Sequence, residues 1–126
     1  MEAACVNNTQ KGRAQEERAC NYLRGKGYEI LNRNFYSRFG EIDIIARQQE
    51  TIVFIEVKYR ENTSAIIPEE AVDYKKRKRI IKTADYYRLK NRIWDDIPCR
   101  FDVISMAQEK IIHHANAFGY DGKNLD

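Results

Sequence analysis

The chain has 126 residues, of which 43% are hydrophobic and 33% are charged, as expected for one globular domain with a modest core. No apolar run reaches the ~20 residues of a membrane helix, and the N-terminus lacks the basic and apolar segments of a secretory signal. Three cysteines, Cys5, Cys20 and Cys99, fit neither a disulfide framework nor a CxxC metal site. We therefore expect a cytoplasmic protein without a membrane span.

The charge of the chain is distributed unevenly. The net charge is +3, but residues 75–92 contain nine Lys or Arg and one acid, which gives them a net charge of +8 and leaves −5 on the remainder. A basic segment on an otherwise acidic protein indicates a phosphate-bearing partner such as nucleic acid. A solvated helix face explains the same charges without a partner, and both interpretations stay open on charge alone.

The first predicted element is a helix over residues 10–24. Asn8 or Thr9 is suited to cap its start, and Gly25 and Gly27 are suited to end it.

The later elements follow from apolar alternation and turn residues. They are strands over 28–36, 40–47 and 51–60, a loop over 61–68, a helix from Pro68 to about Arg92, and strands over 99–106 and 109–114. The order α-β-β-β-α-β-β predicts an α/β fold with a mixed sheet covered by helices. We expect a single domain over residues 1–126, with residues 1–8 and 119–126 as flexible tails.

The strands over 40–47 and 51–60 are predicted to form a hairpin with two distinct faces. One face holds the apolar residues Ile42, Ile44, Ala46, Val53, Ile55 and Val57. The other face holds Glu41, Asp43, Ile45, Phe54, Glu56 and Lys58. Opposed residues of an antiparallel pair share a face, so only an odd sum of their numbers keeps the apolar face intact. A turn at Gln49 and Glu50 gives a sum of 99 and sets Asp43 opposite Glu56. A sum of 97 or 101 would make these two residues diagonal neighbours, still within reach of one shared ligand.

Two opposed carboxylates require an explanation. Across ~5 Å, Asp43 and Glu56 would repel by about 3 kcal/mol at an effective dielectric constant near 20. A divalent cation would turn this repulsion into attraction, and oxygen ligands suit Mg²⁺ or Mn²⁺. Alternatively, one carboxylate is solvated at the rim of the sheet or has a raised pKa.

Two further side chains are candidates for the same site. Lys58 follows Glu56 by two residues and shares its face, where a lysine can stabilise hydroxide or the charge that develops on a phosphate. Its alternative role is a cross-strand pair with Glu41. Glu16 lies on a helical stripe with Ala19 and Leu23, so it faces either the metal site or water at the helix boundary.

The second helix carries most of the basic residues. Lys76 shares an i, i+4 line with Ile80 and Ala84, which directs it towards the sheet or the edge of the site. It would meet a scissile phosphate there, or snorkel to solvent. The residues expected to contact nucleic acid are Arg60, Lys75, Lys76, Arg77, Lys78, Arg79 and Lys82.

Three ionisable residues, Asp102, His113 and His114, lie on the last two predicted strands. His113 and His114 are adjacent on a predicted strand and face opposite ways, so they cannot bind one metal together, and neither receives a role. We expect Asp102 to support a basic residue or the metal ligands, and we favour this over a plain ion pair with Arg100.

The ordered set of motifs resembles a known family. Asp43 followed by Glu56-Val57-Lys58 resembles the PD-(D/E)XK nuclease signature. The fuller pattern is similar to the YraN-like family, small bacterial proteins regarded as endonucleases by similarity. The matching segments are Glu16 with Ala19, GYEILNRN at 27–34, GEIDIIA at 40–46, VFIEVKYR at 53–60, EEAV at 69–72 with Lys76, RFDVI at 100–104, and Ala117-Phe118.

The resemblance implies a restriction-endonuclease-like fold with a three-layer core, similar to that of archaeal Holliday junction resolvases. It implies that Asp43, Glu56 and the Val57 carbonyl bind Mg²⁺, for which Mn²⁺ can substitute. Lys58 would activate water and Glu16 would assist. The implied substrate is DNA, including branched or damaged DNA, and cleavage would leave a 5′-phosphate. A resolvase would also need a homodimer, because one active site cuts one strand.

Two positions depart from the family pattern without removing a ligand. Ile42 stands in place of the signature proline, and Gln15 stands where the family often has glycine. A second hypothesis is a nucleic-acid-binding module that keeps the fold and performs no chemistry, since a fold does not guarantee an activity.

Overall fold

The computed structural model of the chain describes residues 3–59 and 73–123, and of residues 3–11 only the backbone. The elements are α1 Ala3–Gly25, β1 Glu29–Ser37, β2 Gly40–Gln48, β3 Thr51–Tyr59, α2 Tyr74–Lys90, β4 Cys99–Met106 and β5 Ile111–Phe118. One sheet contains the five strands in the order β1-β2-β3-β4-β5. Because β3 and β4 are parallel and the other neighbours are antiparallel, the predicted α/β class, mixed sheet and element order are confirmed for the described residues.

The two helices pack against opposite faces of the sheet. The α1 cluster contains Ala19, Cys20, Leu23, Ile44, Ala46, Val53 and Ile55. The α2 cluster contains Ile80, Ala84, Tyr87, Ile42, Ile45, Phe54 and Phe101. This arrangement is compatible with a three-layer core. Within the described residues, neither helix has the length and apolar character needed to cross a membrane.

The ends of α1 differ in how well they were predicted. The helix begins at Ala3, so the predicted start at residue 10 and the cap at Asn8 or Thr9 are wrong. No glycine or proline interrupts residues 3–9, and a polar residue without such a breaker is tolerated inside a helix. At the other end, Gly27 has a φ of 92° and Tyr28 N–H donates to the Leu23 carbonyl at 3.0 Å. The predicted glycine stop is therefore confirmed.

The helix α2 begins later than predicted. Asp73 caps it by accepting a hydrogen bond from Lys76 N–H at 2.8 Å, which satisfies one of the free N–H groups of the first turn. The predicted start at Pro68 lies outside the described residues. The end at Lys90 agrees with the prediction to within two residues.

The C-terminal segment is longer and more structured than the sequence indicated. Strand β5 runs to Phe118 instead of ending at residue 114. Residues 119–123, part of the expected tail, form a turn in which Gly119 N–H donates to the Lys123 carbonyl at 3.1 Å. Arg77 of α2 donates to the Gly122 carbonyl at 3.1 Å. The turn therefore packs on α2.

The hairpin register is confirmed, but one predicted face is wrong. Pairs from Ile44↔Ile55 to Gln48↔Thr51 have the sum of 99. Ile42, however, packs in the α2 cluster and not beside Ile44. At the intervening residue, Asp43 Oδ2 accepts the Val57 N–H at 2.9 Å. The Asp43 side chain thus accepts a hydrogen bond from the backbone of β3. The strict alternation of side chains between the two faces of β2 ends at Asp43.

Candidate metal centre

Three carboxylates converge where α1 meets β2. Oxygens of Glu16, Glu41 and Asp43 all lie within 4.8 Å of one another. The structure therefore brings together Glu16 and Asp43, two of the predicted site residues, and adds Glu41. We refer to Glu16, Glu41 and Asp43 as the acidic cluster.

Asn34 holds Glu16 in this position. Its side-chain amide donates to Glu16 Oε1 at 2.8 Å, and the Arg33 guanidinium lies 3.7 Å from the same oxygen. Asn34 has a φ of 52°, a left-handed conformation that asparagine adopts more readily than most residues. Ala19 and Leu23 of the same helical stripe are buried, so Glu16 faces the sheet as its spacing indicated.

Sequence reasoning did not place Glu41 in the cluster. It was considered only as a partner of Lys58, but Lys58 Nζ instead lies 3.7 Å from Glu56 Oε2. The available signal was spacing, because Glu41 precedes Asp43 by two residues and therefore shares its predicted face. Tyr36 is the residue paired with Glu41 across β1 and β2, and the charge of Glu41 raises the pKa of the Tyr36 phenol.

Burial and neighbouring negative charge disfavour the ionised form of two carboxyl groups in the cluster. Burial and the nearby charge of Glu56 raise the pKa of Asp43 to about 8, although the Val57 N–H acts in the opposite direction. Burial also raises the pKa of Glu41, and the Glu56 charge adds to this effect against the hydrogen bond from Tyr36. A carboxyl group that holds its proton near neutral pH, as Asp43 does, is poised to exchange that proton for a cation.

Glu56 lies in the same cavity but is engaged with lysines. It is 5% exposed, and Oε2 lies 2.7 Å from Lys76 Nζ. A cavity of about 440 Å³ joins Glu56, Lys76 and Arg79 to Glu41 and Asp43. Of the predicted ligands, Asp43 thus belongs to the acidic cluster, Glu56 faces it with an ion-paired carboxylate, and Val57 directs its N–H to Asp43.

The two lysines beside Glu56 have pKa values displaced in opposite directions. Burial, followed by the hydrogen bond and charge of Lys76, lowers the pKa of Lys58. Burial alone would also lower the pKa of Lys76, but the hydrogen bond and charge of Glu56 outweigh it and raise that pKa. Lys76 therefore retains its charge while Lys58 gives up a proton more readily, which is the separation expected of an acid–base site.

The predicted nucleic-acid contacts divide into two groups. Lys76 and Arg79 line the cavity, and Lys82 Nζ lies over the Phe39 ring at 5.7 Å. Arg77 and Lys78 face the C-terminal turn, over Phe118 at 5.6 Å and Tyr74 at 5.7 Å respectively. Lys75 is exposed at the start of α2. Arg60 lies outside the described residues.

A separate polar network involves Asp102. Arg100 Nε donates to Asp102 Oδ1 at 2.9 Å, and His113 Nε2 lies 2.7 Å from Oδ2. Burial would raise the pKa of Asp102, but the hydrogen bonds of His113 and Arg100 outweigh it and lower that pKa. The ion pair with Arg100 is therefore present, contrary to the sequence expectation, and His113 supports it. Asp102 pairs with Ile55 across the sheet while Glu56 pairs with Val103, so Asp102 and Glu56 face opposite sides.

Comparison with known proteins agrees with the resemblance drawn from the motifs. A family model described as "Uncharacterised protein family UPF0102" matches residues 15–106. A UPF0102 protein of Lachnoclostridium phytofermentans is 49% identical over 113 residues, which cover 90% of this chain and 96% of the relative. One of Persephonella marina is 50% identical over 111 residues, covering 88% and 95% respectively. The chain therefore belongs to the UPF0102, or YraN-like, family.

Proposed function

We propose that this protein is a metal-dependent endonuclease with a restriction-endonuclease-like fold that hydrolyses phosphodiester bonds of DNA. The acidic cluster carries the proposal, because its carboxylate oxygens lie within 4.8 Å of one another beside a buried Glu56 and two lysines. The lysines supply acid–base groups, and basic residues of α2 border the same cavity.

The chemistry of the donors fits a hard divalent cation. Glu16, Glu41 and Asp43 offer carboxylate oxygens, which suit Mg²⁺ and Mn²⁺. Their mutual repulsion and the raised pKa of Asp43 would be relieved by a cation. Both lysines contact Oε2 of Glu56, so its other oxygen, Oε1, could serve as a further ligand. When bound, the cation would lower the pKa of a water molecule and offset charge on the scissile phosphate.

The protein's own side chains would handle the proton and the phosphate charge. Lys58, with its lowered pKa, would accept a proton from the attacking water. Lys76 stays charged and, with Arg79, would attract the phosphate and stabilise the charge that develops on it.

The affinity for Mg²⁺ is expected to depend on pH with a defined sign. Because the pKa of Asp43 is about 8, a proton must leave this carboxyl before a cation binds at lower pH. Affinity should therefore rise up to about tenfold per pH unit below pH 8 and level off above it. Calorimetric titrations at several pH values, at constant ionic strength, measure this slope, and an affinity independent of pH would contradict the role of Asp43.

Cleavage assays test the function itself. Purified protein is incubated with Mg²⁺ or Mn²⁺ and a panel of linear, flapped and four-way DNA. We expect cleavage by the wild type and by Asp96→Asn, a matched change at an exposed acid, but not by Asp43→Asn. Cleavage that survives Asp43→Asn would come from a contaminant and would remove the proposal.

The rival function is a nucleic-acid-binding module without chemistry. The observation that favours it is the Glu56–Lys76 ion pair at 2.7 Å, which neutralises a signature carboxylate without a metal. Salt-sensitive DNA binding with no metal-dependent cleavage would decide for the module. The cytoplasmic location and the homodimer stay predictions from the sequence.

A further inference from the structure

The turn between β1 and β2 separates two neighbouring cavities. Residues Tyr36, Ser37, Arg38 and Phe39 line both of them. The first is the cavity of the acidic cluster, and the second, of about 400 Å³, extends to Tyr86 of α2. A ligand in the second cavity would thus lie directly beside the candidate metal centre, with only this turn between them.

Aromatic rings and cations alternate on this surface. The side chains of Tyr36 and Tyr86 are 66% and 43% exposed. The Phe39 ring has the Arg38 guanidinium over it at 5.0 Å and Lys82 Nζ at 5.7 Å. We name Tyr36, Phe39 and Tyr86 the aromatic platform. Exposed tyrosines interleaved with Arg and Lys are the features with which proteins bind single-stranded nucleic acid.

The turn is fixed in place by both neighbouring elements. Ser37 Oγ lies 2.9 Å from Thr83 Oγ1 of α2 and accepts the Phe39 N–H at 3.0 Å. On the other side, Tyr36 pairs across the sheet with Glu41 of the acidic cluster. The platform is therefore held in position before any ligand arrives, which reduces the entropy lost on binding.

We propose that the aromatic platform binds an unpaired nucleobase, and that the substrate class is DNA with a single-stranded segment next to the cut phosphate. Within a continuous duplex, both faces of each base are covered by its neighbours, so an exposed tyrosine ring has no base face to stack on. A flap or a splayed arm offers that face, and Arg38 and Lys82 can pair with the adjoining phosphates. This inference rests on the proposed nuclease function for the cut, but the binding step does not require catalysis.

The binding step is measured without metal, by the fluorescence anisotropy of labelled oligothymidylate and of a blunt duplex in EDTA. We expect the single strand to bind more tightly than the duplex. Tyr36→Ala should weaken single-strand binding by roughly 5- to 100-fold, the loss of one stacked base, whereas Tyr36→Phe keeps the ring and should bind nearly as well as the wild type. Trp94→Ala removes another exposed aromatic side chain, which lines a different cavity, and should have no effect.

Thermal unfolding and a second variant show whether a loss of binding comes from the missing ring or from a damaged fold. Tyr36 is largely exposed, so thermal unfolding of Tyr36→Ala should match the wild type; Tyr86→Ala, on α2, repeats the test independently. Equal binding by the wild type, Tyr36→Ala and Tyr86→Ala would overturn the inference, as would equal losses in Tyr36→Ala and Tyr36→Phe. Binding that depends on the Tyr36 ring, without cleavage, would support the aromatic platform and contradict the nuclease function. Cleavage that is the same with and without the Tyr36 ring, and the same for single-stranded and duplex DNA, would support the nuclease and contradict the platform.

Discussion

Replacing Lys58 with methionine is expected to lower the rate of DNA cleavage by about 10²- to 10⁴-fold, the usual contribution of a general base. Methionine keeps the apolar stem of the side chain but cannot accept a proton from water. Lys58→Arg should lose a similar factor, because arginine preserves the positive charge and does not deprotonate at working pH. Single-turnover cleavage with saturating protein isolates this chemical step from DNA binding.

The arginine variant separates two roles for Lys58. If Lys58→Arg cleaves nearly as well as the wild type, the residue stabilises negative charge and is not the base. Mg²⁺ should still raise the free energy of unfolding of both variants, because Lys58 lies beside Glu56 and not among the carboxylates of the acidic cluster. Loss of that stabilisation would show that the substitutions disrupt the site as a whole.

Replacing Asp43 with asparagine should make the metal-free protein more stable at alkaline pH. The pKa of Asp43, about 8 against an ordinary 3.8, means that the folded protein favours the protonated carboxyl. Ionising Asp43 in the folded protein therefore costs folding free energy. This cost is absent below the ordinary pKa, grows as the pH rises towards 8, and is complete above pH 8. The full difference sets a ceiling of roughly 5–6 kcal/mol, and partial access of solvent leads us to expect about 2–4 kcal/mol.

Urea unfolding in EDTA, near pH 4 and near pH 9, measures this difference. Asparagine retains an oxygen that can accept the Val57 N–H, so the two proteins should be similar near pH 4 and diverge near pH 9. Asp96→Asn, at an exposed acid, should follow the wild type at both values. Addition of Mg²⁺ should stabilise the wild type and Asp96→Asn but not Asp43→Asn. If Asp43→Asn is no more stable than the wild type near pH 9, the raised pKa of Asp43 would be contradicted.

Much of the sheet could be predicted because local patterns restrict it. Alternation restricts the hairpin register to odd sums, because an even sum would set Ile42 beside Glu56 and split the apolar face. The turn at Gln49 and Glu50 then gives the observed sum of 99. Helical spacing places Glu16 on one stripe with the buried Ala19 and Leu23, so its direction towards the sheet is one of the two that the sequence allows. Lys76 reached Glu56 for the same reason, on a line with the buried Ile80.

The remaining features depend on contacts between distant segments. The change of face at Ile42 accompanies the bond between Asp43 and Val57 N–H, and no alternation pattern contains such a bond. The left-handed Asn34 positions Glu16 across 18 residues of sequence. Asp102 contacts both His113 and the Asn116 N–H of β5, at the point where the register between β4 and β5 shifts. Each is a tertiary interaction that overrides a local preference.

Direct titration with Mn²⁺, followed by electron paramagnetic resonance of the free ion, tests the claim that the acidic cluster is a metal site. We expect saturable binding to the wild type and to Asp96→Asn, severe weakening in Asp43→Asn, and clear weakening in Glu41→Gln, whose carboxylate belongs to the cluster. Binding that is absent in the wild type, or that is unchanged when Asp43 and Glu41 are both replaced, would contradict the account.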